Sequence, residues 1–120
     1  MSALNENSIT RLITVAGQDM KTAGATTLYT VPVGKTAYIT HIVIREPSAS
    51  MAGGTDYDFT NWKQTVSLAS LTTLSTDYIV LDGNNTKYTD LAASTAFQIT
   101  VNTGTTAACT VSIDVFGFLA

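Results

Sequence analysis

The sequence predicts an all-β protein, a single antiparallel β-sandwich resembling a jelly roll. Short runs of β-branched and aromatic residues alternate with polar residues at period two, whereas no stretch longer than a few residues shows helical periodicity. Threonine, which suits a pleated surface better than a helix, occupies 22 of the 120 positions. The strand-like runs are short and separated by turn-rich segments, as in a sandwich or jelly roll.

In chain order, strands are expected first at residues 10–15 and 28–31. The second of these ends at Pro32 or lies at the edge of a sheet, because proline has no amide proton to donate to a neighbouring strand. The run at 36–45 is β-branched and aromatic throughout and predicts a strong strand. Its alternation blurs at 42–44, which indicates either a strand covered on both faces or a bulge.

The later elements are predicted from the same alternation. Weaker strands are expected at 57–59, 64–68, 76–81 and 87–90, with turn-rich segments at 17–25, 47–55 and 82–85. Residues 97–102 and 109–115 alternate most clearly, and a short loop containing Gly104 joins them. This pattern predicts an antiparallel hairpin with one solvated face. Asp82-Gly83 followed by two asparagines predicts another hairpin turn.

Length and composition bound the organisation of the chain. Its 120 residues suit one domain, which we assign to residues 9–120, preceded by a flexible polar arm at residues 1–8. Hydrophobic residues make up 45% of the chain, enough for a core, but charged residues only 12%. A surface so poor in charge repels its neighbours weakly, which favours packing against partners over life as a free monomer.

Several classes of partner are excluded by the same composition. The net charge is −3 and no basic run exists, so nothing in the sequence predicts nucleic-acid binding. No apolar run approaches the roughly 20 residues that a membrane helix needs, which predicts no membrane association. The N-terminus lacks the basic start and apolar stretch of a signal peptide, so synthesis in the cytoplasm is expected.

The reactive residues predict no enzyme. His41 is the sole histidine and Cys109 the sole cysteine, too few for a zinc site built from these residue types. No Gly-x-Ser-x-Gly nucleophile motif accompanies His41, which is expected to lie on a strand face or an interface. Lys35 follows Gly34 as in a phosphate loop, but Tyr29 stands where that motif requires glycine. Cys109 falls in register with apolar residues and is expected in the core. We therefore predict no catalytic residue, no cofactor and no metal.

Two further possibilities stay open at this point. Asp56 and Asp58 share a strand face, and paired acids can perform glycoside chemistry or offer oxygens to calcium. Neither this stretch nor residues 82–85 matches the spacing of a calcium loop, and turns use the same residues for backbone reasons. Trp62 and the tyrosines at 29, 38, 57, 78 and 88 would suit a sugar-stacking platform, although strand aromatics more often serve the core or an interface.

One phrase carries a family resemblance. Residues 28–37 read LYTVPVGKTA, a β-branched strand follows through Ile44, and Glu46-Pro47-Ser48 supplies a turn. This phrase resembles one found in small β-sandwich virion proteins of tailed bacteriophages, and it covers about a third of the chain. The family has no catalytic residues to carry over.

The resemblance implies a capsid decoration, or cement, protein on the outside of a phage virion. Such a protein is expected to be a jelly-roll-like homotrimer, to bind the major capsid protein and to stabilise the shell. The arm, which spans about 25 Å when extended, would reach a neighbouring subunit. Candidate partner contacts are Leu4, Asn5, Pro47, Met51 and Trp62. The alternative is a phage tail or fibre module that binds a receptor or a glycan.

Overall fold

The structure is a computed structural model and describes residues 8–62, 65–71, 77–82 and 89–120. Within those ranges the chain forms eight strands and no helix. The strands are β1 (Thr10–Asp19), β2 (Gly24–Thr30), β3 (Ala37–Arg45), β4 (Asp56–Phe59), β5 (Tyr78–Leu81), β6 (Thr89–Leu91), β7 (Ala96–Thr103) and β8 (Thr110–Leu119). The predicted all-β class is confirmed. Of the predicted arm at 1–8, only Ser8 falls within the described ranges.

The strands form two antiparallel sheets. Sheet A has the order β1-β8-β3-β5, with β6 also pairing with β3, and sheet B has the order β2-β7-β4. The pairs β1–β8, β2–β7 and β3–β6 are nested one inside the next. The innermost pair is reduced to one bridge, between Tyr57 of β4 and Val66. Nested antiparallel pairs rolled into two sheets make a jelly roll, so the predicted sandwich is confirmed.

The predicted C-terminal hairpin is wrong. Its two strands exist as β7 and β8, but β7 pairs with β2 and β4 in sheet B, whereas β8 pairs with β1 and β3 in sheet A. The connecting loop crosses from one sheet to the other. Alternation failed to identify the partners because it reports which face of a strand is buried, and both sheets bury one face in the shared core.

Within the described residues, β5 and β6 do not pair with one another across the second predicted turn. β5 pairs with Ile42–Arg45 and β6 with Ala37–Ile39, so both strands run antiparallel to β3. β8 pairs with one side of β3, so β5 and β6 lie one after the other along the opposite side of β3 and do not pair with each other. The turn residues at 83–85, and Gln64, Thr76 and Lys87 of the weaker predicted strands, lie outside the described residues.

The segment predicted as turns at 17–25 is shorter than expected. β1 continues to Asp19 past a register irregularity between Val15 and Gln18, where Gly17 adopts a φ of 71°. Glycine takes this left-handed conformation without steric cost, so the strand continues beyond the bulge.

The hydrophobic core lies between the two sheets and is formed by side chains at every second position of the strands. Its fully buried side chains include Ile42 and Ile44 of β3, Phe97 and Ile99 of β7 and Ile113 of β8. Cys109 is 2% exposed and its thiol donates to the carbonyl of Ala49 at 3.3 Å. The prediction that this cysteine belongs to the core is confirmed.

One end of the sandwich is tied by a buried tyrosine. The hydroxyl of Tyr57 donates to the backbone carbonyl of Met20 at 2.8 Å, and burial raises the pKa of this phenol to about 12. Gly53 in the adjacent loop has a φ of +88°, and an added Cβ there would clash with the hydroxyl of Thr106, whose backbone N–H donates to the carbonyl of Ala52 at 2.9 Å. The hydrogen bonds of Tyr57 and Thr106 hold the loops at this end against the core.

Candidate partner-binding surface

The outward surface of sheet A is apolar over much of its area. Along β3, Ile39, Ile42 and Ile44 are buried, whereas the outward positions are half-exposed. We call the following set the aromatic face: Tyr38, His41, Val43, Tyr78, Val80, Phe116 and Phe118. A register irregularity between Ile39 and His41 gives β3 a bulge ahead of residues 42–44. At 42–44 burial still alternates, and the sequence pattern blurs there because the outward residue, Val43, is also apolar.

Two ring pairs cross from β3 to β8 on this face. Tyr38 stacks on Phe118 with ring centroids 5.0 Å apart and an interplanar angle of 18°. His41 stacks on Phe116 at 4.6 Å and 5°. In each pair, one face of each ring is covered by its cross-strand neighbour.

The position of His41 is set by hydrogen bonding. The hydroxyl of Thr40 donates to the carbonyl of Phe116 at 3.2 Å, and its oxygen lies 3.0 Å from Nδ1 of His41. The ring is thereby held as a member of the aromatic face, which confirms its predicted place on a strand face.

An ion pair lies beside the rings. Asp114 of β8 is only 5% exposed, although it belongs to the outward row. It accepts hydrogen bonds from the hydroxyl of Thr14 at 2.7 Å and from Nε of Arg45 at 2.8 Å. The hydrogen bond from the guanidinium of Arg45 lowers the pKa of Asp114. Desolvation by burial acts in the opposite direction, and the hydrogen bond from Thr14 lowers the pKa further. Arg45 also pairs with Glu46, so one guanidinium is shared by two carboxylates and the cluster keeps one net negative charge.

The apolar surface continues onto the edge strand β5. Tyr78 is 66% exposed and Val80 is 52% exposed, and Val80 lies directly opposite Val43 of β3. Burying such side chains is favourable by about 25 cal/mol for each Å² of apolar surface removed from water. A cluster of exposed apolar side chains rimmed by polar ones is typical of a protein-binding surface.

The outward surface of sheet B is polar. The side-chain amide of Asn102 donates to Asp56 at 3.0 Å and to Asp58 at 2.8 Å, and the hydroxyl of Thr65 donates to Asp58 at 3.1 Å. The two aspartates do share a face, as predicted, but one amide occupies both. Within the described ranges no group of three or more histidines, cysteines, aspartates or glutamates is placed to hold a metal ion.

Three of the five predicted contact residues lie within the described ranges, and none of the three belongs to the aromatic face. Leu4 and Asn5 lie outside the described residues. Met51 is completely buried and Pro47 is buried too, so their side chains pack inside the domain and offer a partner no surface. Trp62 is half-buried against Phe59 and Phe97, and its indole N–H is buried. Its ring therefore packs against the core and does not form an open platform on which a sugar could stack.

Sequence reasoning missed the aromatic face, although a signal for it was present. The outward row of β8 begins with Thr110, Ser112 and Asp114 and then changes to Phe116 and Phe118. A switch from polar to aromatic residues at outward positions indicates a surface that is covered in use. The ion pair left no such signal, because Arg45 and Thr14 lie 69 and 100 residues from Asp114.

Comparisons with known proteins add no identification. No protein-family model and no curated protein matches this chain. Across the ranges that the structure describes, no helix is long and apolar enough to span a membrane. What supports a function is therefore the geometry of the two outward surfaces together with the resemblance carried by residues 28–48.

Proposed function

We propose that this chain is a virion structural protein: a capsid decoration protein that binds the outside of a phage shell as a homotrimer and bridges major capsid subunits. The observation that carries the proposal is the aromatic face, with Tyr78 and Val80 more than half exposed on a chain that is only 12% charged. Apolar surface of this kind is stabilised when another protein covers it.

Binding is favoured over catalysis because the polar groups are already occupied with one another. Asp114 is held by Arg45 and Thr14, and the paired carboxylates of sheet B are held by Asn102. A general base needs a substrate proton within about 3 Å, yet His41 is stacked on one ring and hydrogen-bonded to its neighbouring threonine.

The architecture suits repeated weak contacts on a lattice. A jelly roll with a continuous core keeps its two outward surfaces fixed relative to one another. Each copy then needs only a modest interface, because many copies on one particle gain avidity from their neighbours. The arm remains part of the proposal, with Leu4 and Asn5 as its contacts, and the aromatic face takes the place of Pro47 and Met51.

Copy number on the particle tests this proposal. Purified chain is mixed with undecorated capsids of the phage that encodes it, and bound protein is counted by electron microscopy and quantitative gel analysis. Decoration predicts saturation at hundreds of copies, at lattice positions on the outside of the shell. A count of a few to tens at the tail would support the tail or fibre alternative, and no binding to any part of the particle would contradict both.

A further inference from the structure

Two edge strands have one side without a strand partner within the described ranges. β2 is terminal in sheet B, where Gly24–Thr27 pairs with β7 in unbroken register. β5 is an outer strand of sheet A and pairs only with β3. An edge strand leaves every second backbone N–H and C=O group free to pair with another strand.

β1, the other long edge strand, is protected from pairing with another chain. β1 carries two register irregularities, and it holds charged residues near both ends, Arg11 and Asp19. Bulges and charges are the devices that keep an edge strand from pairing with another chain. β5 and the Gly24–Thr27 stretch of β2 have neither a charge nor a proline. The register of β5 is unbroken, and that of β2 is unbroken from Gly24, which has a φ of +141°, to Thr27, after which it shifts.

We propose that β2 of one copy pairs with β5 of a second copy, antiparallel, with Gly24 opposite Leu81 and Thr27 opposite Tyr78. This inference rests on the self-association included in the proposed function and specifies the contact that produces it. It joins sheet B of one copy to sheet A of the next.

The proposed register matches the faces of both strands. Ala25 and Thr27 lie beside outward residues of β7, just as Val80 and Tyr78 lie beside outward residues of β3. Opposite residues in an antiparallel pair point to the same side of the sheet. The register therefore places Val80 against Ala25 and Tyr78 against Thr27, on the outward side of the joined sheets. A slip of one residue would point these side chains to opposite faces.

Charge supports the same register over one shifted by two residues. Asp82 follows Leu81 and would lie opposite Ala23, within reach of the side chain of Lys21 on the other copy. Both residues are exposed, and within the described ranges neither forms a salt bridge in its own chain. The nearby carboxylate of Asp19 is occupied by the backbone amides of Lys21 and Thr22.

The contact cannot form within one chain. β1 and β2 are neighbours across the sandwich, and β1 and β5 are opposite edges of sheet A. β2 and β5 thus lie on opposite sides of the molecule. A contact between two different edges is heterologous, and such contacts close into rings when the rotation allows, as a homotrimer requires.

Charge reversal tests the register in solution. The dissociation constant of self-association is measured by analytical ultracentrifugation for the wild type, Lys21→Glu, Asp82→Lys and the double variant. Each single reversal is expected to weaken association about tenfold, and the double variant to recover most of the loss. A wild type that stays monomeric at high micromolar concentration, or single variants that associate like the wild type, would overturn the inference.

Disulfide capture tests the pairing itself. An equimolar mixture of Ala25→Cys and Val80→Cys chains, one carrying a size tag, is expected to give a mixed dimer on mild oxidation. The control mixture is Thr26→Cys with Val80→Cys, whose side chains would point to opposite faces and should not link. Equal yields from both mixtures would contradict the pairing. Capsid binding is counted separately, so decoration by a monomer would refute this inference and leave the proposed function standing.

Discussion

The two sheets share one core but have different outward surfaces. On sheet A, stacked rings lie beside the ion pair of Arg45 and Asp114, and the edge strand adds exposed Tyr78 and Val80. On sheet B, exposed amides, hydroxyls and carboxylates form hydrogen bonds with one another, as Asn102 does with Asp56 and Asp58. The side chains buried between the two sheets, by contrast, are mostly apolar.

This difference separates folding from function. Inward rows must be apolar in any sandwich, because the core depends on them. Outward rows are under no such requirement, and the hydroxyl-rich surface of sheet B is what water favours. Under the proposed function, the apolar outward surface of sheet A serves partner binding. Matched changes on the two sheets test that role.

Removal of one aspartate from each surface should give the largest contrast. Asp114→Ala leaves the guanidinium of Arg45 without its main partner and Thr14 without its acceptor, across three strands of sheet A. Because Arg45 is a third exposed and keeps Glu46 as a partner, the cost is that of the lost hydrogen bonds to the carboxylate, and the free energy of unfolding should fall by about 1.5 kcal/mol. The measurement is urea unfolding followed by circular dichroism.

The matched control is Asp58→Ala on sheet B. This carboxylate is exposed, so its partners Asn102 and Thr65 can turn to water. The expected loss is below about 0.5 kcal/mol. Equal losses for the two variants would mean that the ion pair of sheet A contributes no more than a surface contact, and the contrast between the surfaces would then be one of composition alone.

A charge placed on each surface should separate partner binding from stability. Val80→Asp puts a carboxylate on the aromatic face, where a covering partner would have to desolvate it, so capsid affinity should fall at least about tenfold. Thr100→Asp places the same charge on the outward row of sheet B and should leave affinity within about twofold. Affinity is measured by co-sedimentation with undecorated capsids, and the opposite ranking would assign the binding surface to sheet B.

Much of the fold could be predicted from the sequence, because alternation reports burial directly. The strong strands at β3, β7 and β8 were located from their inward rows. Strand partners could not be predicted in the same way. β7 and β8 carry the same alternation whether they pair together or lie in different sheets, and only the shared core between the sheets decides which occurs.

The candidate surface was predictable only in part. The outward position of His41 followed from its strand, and the phenylalanines at 116 and 118 were visible as a break in a polar row. Contacts between distant segments could not be inferred. Met51 lies in a turn-rich segment that composition assigns to the surface, yet the loop folds inward and the side chain fills the core.

Lowering the pH should change the free energy of unfolding least of the changes considered. It tests the ion pair of Asp114 and Arg45 by removing only the charge of the carboxylate. The pKa of Asp114 lies below its ordinary value of 3.8 in the folded chain, chiefly through the hydrogen bond from Arg45. Above pH 3.8 the carboxylate is charged in both states and its contribution to stability is complete. As pH falls below that value the unfolded chain takes up the proton first, and the contribution is lost as pH passes through the folded pKa.

The stability difference between wild type and Asp114→Asn should therefore shrink steadily below pH 4, measured by unfolding at each pH. The asparagine keeps the shape but never carries the charge, and other acids such as Asp19 are common to both proteins and cancel. A difference that stayed constant down to pH 2 would mean that geometry, and not charge, holds Arg45 in place.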